Sequence, residues 1–384
     1  MTPILVAFSL ATVVLAALWL ESHVKPFRKI GSAATAILLA LTLSNSGILP
    51  GESPVYDFLL GRAVIAGIVL ILLNVRLSSL RDAGGPMLAA FALGAVGSCV
   101  GAVVMALAVH SAMSNEAWKL SGQFTATYIG GGMNYAAVGQ ELATRADLFT
   151  AGIAADVIVT AFWLVACLVI PEILGSRQKT ALAPPPATPP MPALPTLGTP
   201  GLDVQLRSSG VPLTLLDFVG LTAVTVGTMW VSEVLAALVP SLPRIIWLTT
   251  VVLVLAQVPI IRRLSGGVVL GNFLVLLFLA SNGAKSVVSR IVEVGPAIFY
   301  FAAGTVAIHG LIIFGIGRLL RMNGDVLSIA SQANVGGSTT AMALAGARRR
   351  PDLILPGVAV GILGNALGNY AGIAIAFLSR SLLG

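Results

Sequence analysis

Apolar runs, each about as long as a bilayer is thick, constrain this chain more than any other feature. A hydrocarbon core needs roughly 20 apolar residues per helix, and on that ruler about a dozen segments emerge. They are 3–20, 30–49, 57–75, 86–109, 117–142 and 147–170, then 212–239, 245–261, 266–284, 296–317, 326–347 and 352–378. The runs are continuous rather than striped, so lipid is the solvent for most of the chain. Of 384 residues, 57% are hydrophobic and only 10% charged, where a soluble domain carries about a quarter charged residues. Lipid leaves backbone polar groups no partner outside their own segment, so helices are expected. The expected fold is all-α and polytopic, with about 11–13 transmembrane helices.

The net charge of +7 does not point to nucleic acid. Its basic residues sit at the ends of apolar runs, as membrane anchors do. Cys99 and Cys167 lie inside apolar runs and read as small core residues. The chain begins MTPILVAFSL with no basic residue before the apolar run, which reads as a first span rather than a signal peptide. A multi-pass protein of the plasma (inner) membrane is expected, with the bilayer as its medium.

Two related halves are expected, 1–175 and 212–384, joined by a linker at 176–211 that contains APPPATPPMPALPTLGTP. Proline at that density excludes helix and favours extended geometry. Gly85, Pro86, Phe91, Ala92, Gly94 and Val96 find the same residues 210 positions later. Gly131, Gly132, Ala136, Arg145, Asp147, Leu148, Gly152 and Ala154 recur at an offset of 205. Composition could supply some glycine and alanine matches. It would not readily align a GP helix start, a GG break and an R-x-D-L turn in one order. Internal repeats in a membrane protein point to transporters with a pseudo-symmetric core.

Two segments carry the chemistry. In SGQFTATYIGGGMNYAAVGQEL (121–142), Gly130, Gly131 and Gly132 interrupt a would-be span, flanked by Gln123, Thr125, Thr127 and Asn134. Glycine lets the backbone unwind, and unwound backbone at membrane depth is tolerated only in a cavity or within protein. Half-helix ends then offer carbonyls to a cation and N–H groups to an anion. In SIASQANVGGSTTAMALAG (328–346), Ser331, Gln332, Asn334, Ser338, Thr339 and Thr340 surround Gly336 and Gly337. Polar side chains are costly there unless they face a site or one another. The bland alternatives are close packing through small residues and a polar helix interface. A third feature is Asp156, a carboxylate within an apolar span. Its counterpart in the second half is Gly361, although Asn365 and Asn369 lie a few residues on. His309 is a lone histidine in an apolar helix, more often packed than functional. No Walker motif, dinucleotide fingerprint or metal-spaced Cys/His set is present in the sequence, so no cofactor is expected beyond a coupling ion, sodium or a proton.

These motifs resemble the YjcL-like family, bacterial and plant membrane proteins known mainly as a domain of unknown function. The likeness spans nearly the whole chain and is clearest in YIGGGMNYAAVGQEL, SQANVGGSTTAMALA and GVAVGILGNALGNYAG. A wider resemblance is to the cation/proton antiporter and bile-acid/sodium symporter superfamily. That resemblance implies inverted repeats, each with a discontinuous helix crossing at mid-membrane, inside a core domain that moves against a scaffold. Its sodium symporters carry a GG-x-x-[SN] element, which Gly131, Gly132 and Asn134 resemble, and a Gln-Asn element, which Gln332 and Asn334 resemble around an inserted Ala333. Its antiporters carry acidic residues where Asp156 stands, but Ala155 occupies the second acidic place, which argues against a two-proton mechanism.

The leading expectation is a cation-coupled, sodium-favouring secondary transporter of a small carboxylate-bearing organic solute, not an enzyme. Asp156, Asn134, Gln332 and Asn334 are the expected cation ligands. Gly131, Gly132, Thr127, Gly336, Gly337, Ser338, Thr339 and Asn365 are the expected solute-binding residues. The scaffold would form a homodimer. A sodium/proton antiporter is the alternative. A further one is a non-transporting scaffold whose partner docks on the linker. One conflict stands: six spans separate the two broken segments, and an even number makes the repeats parallel rather than inverted. Either one segment is re-entrant or fused, or the inverted relation is wrong.

Overall fold

A computed structural model describes residues 1–113, 116–173 and 214–384. The linker expected at 176–211 lies outside the described residues. Among them there is no strand. In chain order the helices are α1 (Pro3–His23), α2 (Lys25–Asn45), α3 (Pro54–Phe58), α4 (Val64–Leu72), α5 (Leu80–Ala83), α6 (Gly85–Val109), α7 (Ala117–Gly130) and α8 (Gly132–Glu141). They continue as α9 (Ala146–Ile173), α10 (Leu215–Leu238), α11 (Arg244–Leu255), α12 (Gly267–Lys285), α13 (Val288–Leu319), α14 (Gly324–Val335), α15 (Gly337–Ala347) and α16 (Ile354–Leu383). A π-helical turn, Leu59–Ala63, joins α3 to α4.

Local chemistry sets several of the boundaries. Thr2 caps α1 through its side chain, with Pro3 at the first helical position. Thr214 and Asp217 form a reciprocal capping box at the start of α10. Asn323 accepts from the Asp325 and Val326 amides at the start of α14. Among the described residues, eight helices are long and apolar enough to cross a membrane, and two more, Gly31–Asn45 and Arg244–Leu255, are apolar but shorter. Large apolar side chains such as Ile4, Phe162, Trp230 and Leu311 stand more than half exposed. Lipid, not water, is the medium in which such a surface is stable.

The chain divides into two compact units, each drawn from both sequence halves. Of the described residues, the first takes 1–75, 136–157 and 214–298, and the second takes 76–113, 116–135, 158–173 and 299–384. In the first unit α12 is central, with 67% of its apolar window buried. It meets α4 where Gly271 lies against Ile71 and the Gly67 carbonyl, and it meets α2 where Gly283 lies against the Ile37 carbonyl. Ser44 and Asn45 tie the end of α2 to the carbonyls of Ala284 (2.7 Å) and Ser286 (3.0 Å). In the second unit α16 is central, also with 67% of its window buried.

Candidate functional site

The two glycine-broken segments double back at their breaks instead of continuing as straight helices. In one continuous helix Gln123 and Tyr135 would be separated by about 18 Å along the axis. Instead the Gln123 side-chain amide reaches the Tyr135 carbonyl at 3.4 Å, and the Phe124 and Tyr135 rings lie 5.7 Å apart. The second segment is more decisive. Asp325 and Arg348 would be about 34 Å apart in a straight helix, yet Arg348 Nη2 sits 2.8 Å from Asp325 Oδ1. The expected discontinuous helices are present, α7 with α8 and α14 with α15, and each pair turns back at its glycine break. Each segment is a helical hairpin, α7–α8 and α14–α15. The reason lies at the breaks. Gly131 has φ 80° and Gly337 has φ 79°, a left-handed conformation that reverses the chain and that glycine adopts without steric cost.

Both hairpins lie along α16, head to head. At the start of α16, Arg350 joins the mouth of the second hairpin by bonding Asp325 (2.7 Å) and Asp352 (2.6 Å). Moving along α16, Gly357 meets Ile329, and Gly361 meets the backbone of Ser338 at the second tip. Three residues later Gly364 meets the Ile129 carbonyl at the first tip, and Gly368 meets Asn134 and the Ala126 carbonyl. Near the end of α16, Phe377 stacks on Trp118 at the mouth of the first hairpin (6.3 Å), and Arg380 lies over the same ring. The hairpins thus approach from opposite ends of one long helix and meet within its first half, around Gly361 and Gly364. Glycines at 357, 361, 364 and 368 let them come this close, because a Cβ at 361 would fall 2.6 Å from Ser338 Cα.

The tips are polar and buried. Gln123, Thr125, Asn134, Ser328, Ser331, Gln332, Asn334 and Ser338 are fully buried, and Thr127 and Asn365 nearly so. The Asn134 amide donates to the carbonyls of Gly364 (3.4 Å) and Asn365 (3.2 Å), crossing from the first tip to α16. With its amide turned so that nitrogen faces the neighbouring carbonyls, Asn334 donates to Phe91 (3.2 Å) and Ala330 (3.1 Å). Several further groups there are oxygen-rich and unmet. Gln123 Oε1, Thr125 Oγ1, Thr127 Oγ1, Asn134 Oδ1, Ser328 Oγ, Thr339 Oγ1, Asn365 Oδ1 and both amide atoms of Gln332 lack hydrogen-bond partners. Leaving one such group unmet costs about 1–3 kcal/mol. A concentration of them lies on two hairpins and the helix between, where a species that brings its own partners would satisfy them.

Eleven of the twelve residues expected at the site, all but Asp156, belong to the second unit. Asp156 belongs to the first, half-buried on α9. Gly131 ends α7 and Gly132 begins α8, while Gly336 ends α14 and Gly337 begins α15. Ser98, Trp163 and His309 were not expected at the site, yet they bind its hairpins. Ser98 Oγ donates to the Tyr128 carbonyl (2.8 Å), and Ser331 Oγ meets both Trp163 Nε1 (3.0 Å) and His309 Nε2 (2.8 Å). The one signal that could have flagged them is polarity inside apolar helices.

Comparison with known proteins agrees with this architecture in kind. The family described as "Protein of unknown function (DUF819)" matches residues 7–382. The chain belongs to this family. It is also similar to the "Uncharacterized membrane protein YjcL" of Bacillus subtilis (strain 168), at 27% identity over 369 residues, covering 92% of this chain and 91% of the relative. With eight membrane-length helices and this family, the chain is a multi-pass membrane protein.

Proposed function

We propose that the protein is a cation-coupled secondary active transporter of a small organic solute bearing a carboxylate, working by alternating access in the plasma membrane. The observation that carries this reading is the head-to-head pair of hairpins with unmet amide and hydroxyl oxygens at their tips. Broken helical elements in corresponding positions of two repeats are where transporters place ligands. The tips offer mainly neutral oxygens, which suit sodium, a hard cation that takes oxygen ligands. Asn134, Gln332 and Asn334 are the cation ligands in this reading. The N-termini of α8 and α15, at Gly132 and Gly337, give partial positive charge and free N–H groups to a carboxylate. Thr127, Gly131, Gly336, Ser338, Thr339 and Asn365 complete the solute's surroundings. Asp156 is the carboxylate on which ion dependence is tested by substitution.

The hairpin geometry also supports inverted repeats. If neither hairpin crosses, five helices separate them, α9 to α13, and an odd number turns the second repeat over. Their approach from opposite ends of α16 agrees. The unit carrying both glycine breaks and the second hairpin is the mobile core in this reading, and the other is the scaffold, through which a homodimer would form. Hairpins replace the crossing helices of the cation/proton antiporter and bile-acid/sodium symporter superfamily, so the likeness to it extends to the symmetry and the glycine breaks.

The test is uptake into proteoliposomes, guided by thermal stabilisation of purified protein with sodium and a panel of carboxylates, amino acids and dipeptides. A sodium gradient is expected to drive solute uptake, with Gln332→Ala and Asn134→Ala each raising the sodium requirement about tenfold or more, as loss of a buried polar contact does. Sodium-indifferent uptake with Asp156→Asn fully active would sink the sodium assignment. Collapse of a pH gradient by sodium alone would replace symport with antiport.

A further inference from the structure

A polar cleft of about 290 Å³ opens in the first unit, where the end of α8 and the start of α9 meet the end of α12. Local structure shapes it. Ala143 takes φ 48° and closes α8, with its amide on the Gln140 carbonyl (3.2 Å) and the Thr144 amide on the Gly139 carbonyl (3.0 Å). This pair of bonds satisfies the last carbonyls of a helix and turns the chain sharply. Gln140, Thr144 and Arg145 thereby line the cleft from one side. Asn282 and Lys285 line it from α12, where a spacing of three puts them on one face. Phe149 and Phe278 give it an apolar wall, their rings meeting edge to face at 5.4 Å.

Positive charge and hydrogen-bond donors dominate this lining. Lys285 and Arg145 supply the charge, and among the described residues no acidic side chain lines the cleft. Lys285 Nζ lies 3.5 Å from Asp57, whose side chain is 74% exposed. A pair that exposed contributes little, so a better-placed anion can take the ammonium. Arg145 forks onto Asp147 through Nε and Nη2, which uses two of the five hydrogens of a guanidinium. Thr144 Oγ1 is enclosed and has no hydrogen-bond partner, a state that buried hydroxyls avoid. Asn282 is buried and spends one of its two amide hydrogens on the Phe278 carbonyl (3.2 Å).

We propose that this cleft is a binding site for an oxyanion carried on an apolar stem. The acidic group bonds Lys285, Arg145 and Gln140, and the stem lies against Phe149 and Phe278. The position favours an anionic membrane lipid as the source. Lys285 ends α12 and Ala146 begins α9, both helices of membrane length. The cleft therefore lies at the height of the headgroups, where basic pockets between transmembrane helices take anionic lipid. A short organic acid presents the same chemistry from water. The volume is at the small end for ligand pockets and suits either one. Occupancy requires neither a coupling ion nor a transported solute. The bound acid ties together the ends of α8, α9 and α12.

Thermal stabilisation of the full chain in a neutral detergent tests this, with dihexanoyl phosphatidylglycerol, dihexanoyl phosphatidylcholine and hexanoate as probes. Saturable stabilisation by phosphatidylglycerol and not by phosphatidylcholine assigns the site to lipid. Saturable stabilisation by hexanoate assigns it to soluble acids. In either arm Lys285→Gln is expected to raise the midpoint about tenfold or more, as loss of a charged hydrogen-bond partner does, and Lys285→Arg is expected to restore it to within about threefold. Gln140→Glu keeps the shape of the side chain and adds a carboxylate that competes for the same cations, so it is expected to raise the midpoint by at least about tenfold. Arg262→Gln is the control, an exposed basic residue on the turn Ile261–Arg263 outside the cleft, and is expected to change the midpoint less than about twofold. The proposal is overturned if neither phosphatidylglycerol nor hexanoate stabilises the protein, or if phosphatidylcholine does so equally. It is also overturned if Lys285→Gln binds no more weakly than Arg262→Gln. Tight binding by Gln140→Glu overturns it even where Lys285→Gln fails to fold.

Discussion

Gly364 shows how little room the site leaves at single positions. A Cβ there would fall on the Ile129 carbonyl and 3.2 Å from the Phe91 ring, and a backbone carbonyl at a hairpin tip cannot swing aside as a side chain can. Gly364→Ala is expected to cost about 1–3 kcal/mol by overpacking and to abolish stabilisation by sodium. Gly346→Ala is the control, with open space around its Cβ position, and should leave both unchanged. Thermal unfolding of the purified variants with and without sodium separates the two outcomes. At this scale the sequence was informative where composition carries the signal. Gly131, Gly132, Gln332 and Asn334 stood out because glycine and amides are rare company inside an apolar span. His309 did not, because one histidine in an apolar helix looks the same whether it packs or bridges. Only the positions of Gly94, Ser98 and Ser331 around its ring reveal the bridge, and they lie far apart in the chain.

The two hairpins differ at their mouths. Arg145 and Asp147 form a bidentate pair (3.0 and 2.7 Å), and their counterparts Arg350 and Asp352 form the same fork (2.9 and 2.6 Å). The second hairpin adds Asp325, buried between Arg348 and Arg350. The counterpart positions in the first half are Leu120 and Ala143. Removing one member of a buried ion pair strands its partner, so Asp325→Asn is expected to destabilise by about 3–5 kcal/mol, whereas replacing Asp325 and Arg348 together by leucine should cost less. Melting of the two variants decides this, and equal losses would mean that the cluster acts by packing rather than by charge. The R-x-D fork was legible as a repeat in the sequence. Its role at a hairpin mouth was not, because the partner Asp325 enters only when the chain turns back.

Over the whole molecule, the parity conflict in the sequence dissolves if the hairpins are re-entrant. Cysteine accessibility tests this in a background with Cys99 and Cys167 replaced by serine. Glu116→Cys and Ala143→Cys, at the two ends of the first hairpin, should label from one side of the membrane. Met322→Cys and Arg349→Cys, at the ends of the second, should both label from the other side. Labelling of Glu116→Cys and Ala143→Cys from opposite sides would restore the crossing helix. The amino-acid sequence by itself determined that the chain lives in lipid, where most of its helices fall, that short motifs recur between its halves, and which glycine-rich segments are polar. Those are local properties of hydropathy, propensity and residue order. Whether a 22-residue apolar segment with a glycine break runs straight on or turns back at the break was decided only by tertiary structure. Either path satisfies the same hydropathy. What separates them is a left-handed glycine turn and long-range partners, such as Arg348 for Asp325 and α16 for both tips, that hold the returning helix in place.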